Sequence, residues 1–196
     1  MIAEESIYIP LLKNIKELVA ISENEIQLVI KAFQPKKLSK KEILLFKGDQ
    51  SNHMRFISDG CLRSYYINEE GQEYILQFGI NNWWINDLYS YLTKTPAQYF
   101  IQALKPTTVL QIHRDELAKL FDAVPAMERF FRIKIEKAYV ANLNRTVRSM
   151  SETAETRYLN FIKKHRDLEQ NVPQYMVASY LGISPEHLST IRKNSH

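Results

Sequence analysis

A chain of 196 residues, 45% of them hydrophobic, is long enough to bury a substantial core, which excludes a disordered protein. No run of about 18 apolar residues occurs, and the stretch Met1 to Leu18 alternates charges with short apolar runs, so neither a membrane span nor a signal peptide is expected and a cytoplasmic location is. The net charge of +4 is unevenly placed: residues 1–122 hold 14 Lys and Arg against 15 Asp and Glu, whereas residues 123–196 hold 12 against 7, a basic excess that directs the last third towards phosphate.

From Leu11 to Phe33 apolar residues recur at helical spacing, and Ser22 followed by Glu25 is a capping box that opens the second of two helices. Beyond Pro35 the pattern shifts to short runs of β-branched and aromatic residues. The turn formers Lys47-Gly48-Asp49, Ser58-Asp59-Gly60, Asn68-Glu69-Glu70-Gly71 and Lys105-Pro106 divide these runs. The spacing predicts strands at Glu42–Phe46, Met54–Ile57, Leu62–Ile67, Glu73–Phe78, Tyr99–Leu104 and Val109–Ile112, with a short helix inserted near Ile85–Leu92. Strands so arranged make an antiparallel roll or sandwich.

From Asp115 onward the reading is helical, and the longest helix begins at Pro125, a residue suited to a first helical turn. Met127, Phe131, Ile135 and Ala138 form one apolar stripe on it; Tyr139, Leu143, Val147 and Met150 form another, about 120° round the axis. A helix lying on its own β domain needs only one stripe. The second predicts the same helix of a partner subunit, the plainer alternative being a helix that bends around its own domain. Thr153–His165 is a further amphipathic helix, with Arg157, Lys163 and Lys164 on its polar side.

Residues 172–192 have the spacing of two short helices joined by a tight turn. Ala178 is small where the helices must approach, Leu181 and Ile183 bracket the turn, and Gly182 can take the positive φ that it requires. Leu188 and Ile191 anchor the second helix inward, which leaves Ser184, Glu186, His187, Ser189, Thr190, Arg192 and Lys193 facing outward. A helix of this kind fits the major groove, with its N-terminal side chains at base edges and its C-terminal cations at phosphates.

Other chemistries are poorly served. One cysteine, Cys61, leaves no internal disulfide and no four-thiolate cluster, and beside Leu62 it reads as a small buried hydrophobe rather than a redox sensor. Histidines at 53, 113, 165, 187 and 196 lack the close spacing of a metal site. A metal-dependent β-roll enzyme would need paired histidines and a carboxylate, and His53 and His113 are too few, so the chain is not read as an enzyme and no metal or cofactor is assigned.

Taken together, Lys47-Gly48-Asp49, the run Phe56-Ile57-Ser58-Asp59-Gly60 followed by Leu62-Arg63, Gly71-Gln72-Glu73, and Ala103 with Val109-Leu110-Gln111-Ile112 precede the long helix and the helix-turn-helix. In that order they resemble the Crp/Fnr family of transcription regulators over roughly residues 20–194. The resemblance implies an α+β fold: an N-terminal antiparallel β-roll of the jelly-roll, cyclic-nucleotide-binding-like type as sensor (1–124), a dimerisation helix (125–150) and a helix-turn-helix DNA-binding domain (151–196). It implies a homodimer on a near-palindromic operator in double-stranded DNA, with RNA polymerase as a candidate further partner. The family's acidic recognition residue falls on Glu186, while Thr190 stands where Arg is expected. Arg192, Lys193 and Gln174 would hold phosphates. Only three residues follow Lys193, so no β-wing is expected after the recognition helix.

In the ligand pocket the chain departs from the family. Nucleotide-binding members hold the ribose with a Gly-Glu pair and the cyclic phosphate with an Arg-Ser pair; here Asn86-Asp87 and Ala97-Gln98 stand at those places. A phosphate buried without a charge-assisted partner loses on the order of several kcal/mol of compensation, so the effector expected is not cyclic AMP. Arg63, Trp84, Asp87, Gln98 and Tyr99 are the candidate pocket residues; Trp83, Tyr89, Tyr91 and Phe100 read as rings filling the roll. The alternative function is a sensor or interaction module with weak or lost DNA binding.

Overall fold

In the computed structural model, which describes residues 6–166, 168 and 172–194, a 3-10 turn at Ser6–Tyr8 leads into helix α1, Ile9–Lys16. Helix α2, Glu23–Ala32, opens on the expected capping box, in which the Glu25 carboxylate takes the Ser22 N–H at 2.7 Å and Ser22 Oγ accepts the Glu25 N–H.

Seven strands follow among the described residues: β1 (Gln34–Leu38), β2 (Ile43–Leu45), β3 (His53–Asp59), β4 (Cys61–Ile67), β5 (Glu73–Ile80), β6 (Phe100–Ala103) and β7 (Thr107–His113). They pair antiparallel as two sheets, β1-β7-β3 and β2-β6-β4-β5, with helix α3, Leu88–Thr93, between β5 and β6. All six expected strands lie within a residue or two of their expected bounds. β1 was not expected, because Gln34-Pro35-Lys36-Lys37 has little strand propensity; as an outer strand it tolerates proline and lysine, and its pairing comes from β7. At the β3–β4 corner Gly60 has φ 126°, and a Cβ there would run into the Thr107 side chain.

Alternation along β3 separates two cores. Met54 and Phe56 face the helices and join Leu11, Ile15, Val29, Phe33, Leu117 and Phe130; Ile57 faces the interior of the roll with Leu62, Ile85, Ile101 and Val109. Helix α4 (Arg114–Ala123) leads to the long helix α5 (Ala126–Ser151), which Pro125 immediately precedes. Met127, Phe130 and Phe131 of α5 are buried on the roll, whereas residues 136–151 are exposed save for the half-buried Arg145. Helices α6 (Ala154–Lys164), α7 (Gln174–Leu181) and α8 (Pro185–Asn194) complete the described chain. Their apolar faces share a third cluster with Cys61, Tyr65, Ile75 and Phe78 of the roll.

Candidate nucleic-acid interface and effector pocket

α7 ends at Gly182, whose φ of 68° turns the chain into α8. Ala178, fully buried, sits where the helices meet, and Leu188 and Ile191 are buried beneath α8. Glu186, His187, Ser189, Thr190 and Lys193 are exposed along the outer face of α8. Two hydroxyls there already have intrahelical work. Ser184 Oγ accepts the His187 N–H at 3.1 Å and so caps α8, and Thr190 donates its hydroxyl to the Glu186 carbonyl at 3.1 Å. Arg192 is half-buried, with its Nε enclosed, rather than fully outward as expected, and Gln174 in the first turn of α7 is half-buried too, with its amide oxygen enclosed. A groove of about 350 Å³ runs beside α8, between Thr153, Ala154 and Glu155 at the start of α6 and His187, Thr190 and Asn194. Tyr175, more than half exposed in the first turn of α7, lies next to Gln174 and drew no notice in the sequence, where a lone tyrosine carries no signal.

The five pocket candidates do not converge. Asp87, Gln98 and Tyr99, together with Tyr89, line an open depression of about 110 Å³. Asp87 is its buried floor: Oδ1 accepts the Ser90 N–H at 2.9 Å, capping α3, and Oδ2 accepts the Gln98 N–H at 3.4 Å. Burial, and then the Asp87 carboxylate beside it, push the Tyr99 phenol far above its ordinary range. Trp84 is elsewhere. Its ring packs against Phe33, Phe56, Phe130 and Phe131 on the helix side of the β1-β7-β3 sheet, with Nε1 donating to Asn14 Oδ1 at 3.1 Å. Arg63 is elsewhere too: it grips both oxygens of the Glu73 carboxylate, donates to Gln102 Oε1 at 3.0 Å, and lies 3.9 Å from the Tyr65 ring centre. A candidate missed in the sequence is Arg55. It is 4% exposed inside the roll, with hydrogen bonds of 3.3–3.4 Å to the His53 carbonyl and Ser51 Oγ. Desolvation pulls its guanidinium down to about 10, and the charge of Asp87 offsets only part of that pull. An arginine inside the apolar run Met54–Ile57 was the signal available for it.

Cys61 is 2% exposed and burial pushes its thiol up to about 11, which leaves little thiolate. His53 and His113 are cross-strand neighbours with ring centres 5.1 Å apart, but His113 Nδ1 accepts the Asp115 N–H at the start of α4, and no group of three or more His, Cys, Asp or Glu converges among the described residues. No helix among them is long and apolar enough to cross a membrane.

Comparison with known proteins agrees with this architecture. Residues 35–123 match the cyclic nucleotide-binding domain family. The chain is 26% identical over 186 residues to the anaerobic regulatory protein of Haemophilus influenzae, a similarity spanning 87% of this chain and 70% of that protein. Two of the solved structures that share the fold illustrate it. The c-di-GMP-responsive global regulator CLP of Xanthomonas campestris superposes with a TM-score of 0.68 at 12% identity, over 88% of this chain and 91% of that one. A transcriptional regulator of the Crp/Fnr family from Eubacterium rectale superposes with a TM-score of 0.66 at 14% identity, over 89% and 83%.

Proposed function

Because this chain belongs to the Crp/Fnr family of transcription regulators, we propose that it acts as a dimer that reads a two-fold symmetric operator with α8 and is tuned by a small effector other than cyclic AMP. One observation carries the reading: α8 is anchored by Leu188 and Ile191 while Glu186, His187, Ser189, Thr190 and Lys193 are exposed on its outer face, where a duplex would meet them. Ser184, Gln174 and Arg192 complete the proposed DNA-facing set, Ser184 by starting the helix and the other two at phosphates. The two-fold arrangement follows from the exposed apolar face of α5, which a second copy would cover. The division into a sensor over 1–124, a dimerisation helix over 125–150 and a reader over 151–196 is part of the same proposal.

Against cyclic AMP stand two features. The depression of about 110 Å³ is well below the roughly 300 Å³ that a ligand the size of a nucleotide needs, which leaves room only for a smaller effector, and its floor is the carboxylate of Asp87, which would repel a phosphate. Arg55 does not relieve this, since it hydrogen-bonds the His53 carbonyl and Ser51 Oγ and is not among the residues that line the depression. Asp87, Gln98 and Tyr99 remain as the effector residues, and titration calorimetry with cyclic AMP should give no binding at micromolar or tighter affinity.

Selection of bound fragments from genomic DNA with the purified dimer tests the main reading. Enrichment of a palindrome with half-sites roughly 34 Å apart is expected. A selection that enriches no motif would favour a sensor or interaction module without DNA binding. RNA polymerase is a further partner only if the operators found lie beside promoters.

A further inference from the structure

β5 is the outer strand of its sheet, so the backbone groups on its free side have no strand to meet. The helix-turn-helix meets them instead. The Ile75 N–H donates to Ser179 Oγ at 2.9 Å, and the same hydroxyl donates to the Glu73 carbonyl at 3.3 Å, so one side chain of α7 engages the strand edge as a neighbouring strand would. Where β4 and β5 change register, Ser64 opposes Gln77 and Tyr65 opposes Ile75, which leaves Leu76 over as a bulge. Its carbonyl accepts from Nη1 of Arg145 in α5. Nη2 of the same guanidinium donates to the Tyr180 carbonyl of α7 at 3.3 Å, and the group lies 4.2 Å from the Tyr180 ring centre. That ring packs 5.4 Å from Phe78 of β5. Arg145 thus joins the long helix, the sensor sheet and the reader. On the sensor side, the Glu73 carboxylate is held by Arg63, which carries the connection into the roll.

From this junction we infer that Arg145 and Ser179 are positioning residues that set the angle at which the helix-turn-helix leaves α5, and so the half-site spacing that the dimer accepts. The inference rests on the DNA-reading function proposed above. Neither side chain is on the outer face of α8, so neither reads a base. A planar fork that spans carbonyls on two bodies fixes their relative orientation, whereas an ammonium on a flexible stem does not; replacement by lysine should therefore keep the charge and lose the angle.

The test uses the full-length dimer and the variants Arg145→Lys and Ser179→Ala. Without DNA, amide exchange at Ile75 should accelerate by about ten-fold in Ser179→Ala, the loss expected for one hydrogen bond. Spin labels on the two α8 helices should show one narrow distance distribution in the parent protein and a broad one in Arg145→Lys. With DNA, the parent should lose affinity when one or two base pairs are inserted between half-sites. Both variants should lose that discrimination and still prefer the correct half-site sequence. Unchanged distances and unchanged spacing preference in both variants would overturn the inference. If the parent protein enriches no operator, the DNA-reading function fails, while the exchange and distance measurements still decide whether the junction orients the helix-turn-helix.

Discussion

Glu186 and Thr190 sit one turn apart on the exposed face of α8, and they differ in what they can offer a base. The Glu186 carboxylate is free to accept from a cytosine amino group, whereas the Thr190 hydroxyl is turned back onto the helix. Glu186→Ala should therefore relax discrimination at one base pair of each half-site, by about 1–3 kcal/mol, measured by competition binding against singly substituted operators. Lys193→Ala should instead weaken all sequences alike and reduce the salt dependence of binding, because a phosphate contact carries no sequence information. A second residue-scale effect is pH. Burial, then the Arg55, His113 and Lys36 charges, lower His53 to about 4, and burial also lowers His165. Between that value and the ordinary histidine range the unfolded chain binds protons that the folded chain does not. Stability is then full above about pH 6.5 and falls as pH drops towards 4. Urea denaturation at pH 7.5 and 5.5 should show this loss, and His53→Gln should diminish it.

At the scale of elements, α5 shows how one helix serves two surfaces. Its first turns bury Met127, Phe130 and Phe131 on the roll, while further along Tyr139, Leu143, Val147 and Met150 are between 48% and 82% exposed. The sequence separated these as two stripes, but the structure divides α5 along its length: Met127 and Phe131 of the first stripe join the chain's own core, Ile135 is half-buried and Ala138 is exposed together with the second stripe, which favours a partner over a helix bent round its domain. A charge in the middle of the second stripe would be buried unpaired in any dimer, so Val147→Glu should give a monomer by sedimentation without unfolding the subunit. The turn between α7 and α8 carries a different constraint. A Cβ at Gly182 meets nothing within 4 Å, so Gly182→Ala should cost only the left-handed backbone conformation, about 1 kcal/mol, seen as a small fall in Tm.

Across the whole molecule, the third apolar cluster draws Tyr65, Ile75 and Phe78 of the roll together with Phe161, Val177 and Leu188 of the C-terminal helices. Trp83 of the roll also meets His165, with ring centres 5.2 Å apart. A shared core of this kind couples the two parts, so tryptophan fluorescence and far-UV circular dichroism should report one coincident unfolding transition; two separate midpoints would show that the parts melt independently. The same coupling explains Arg63. It lies in the roll, as its strand position required, yet its guanidinium serves Glu73 near the helix-turn-helix and not the depression at Asp87.

Periodicity, turn residues and the spacing around Gly182 determined by themselves the order of roll, long helix and helix-turn-helix, because those patterns record which face of each element must leave water. The capping box at Ser22, the buried pair Leu188 and Ile191, and the outward Glu186 are local consequences of the chain and were legible without a fold. Which side chains share a pocket was not. Trp84 and Asp87 lie three residues apart, one among the rings against α5 and the other beneath the depression, and β1 became a strand only because β7 offered it a partner. Arg55, Arg145 and Ser179 likewise took their roles from groups distant in sequence. Cross-sheet neighbours and the edge groups of a strand exist only once long-range pairing has formed, and only the tertiary structure decides them.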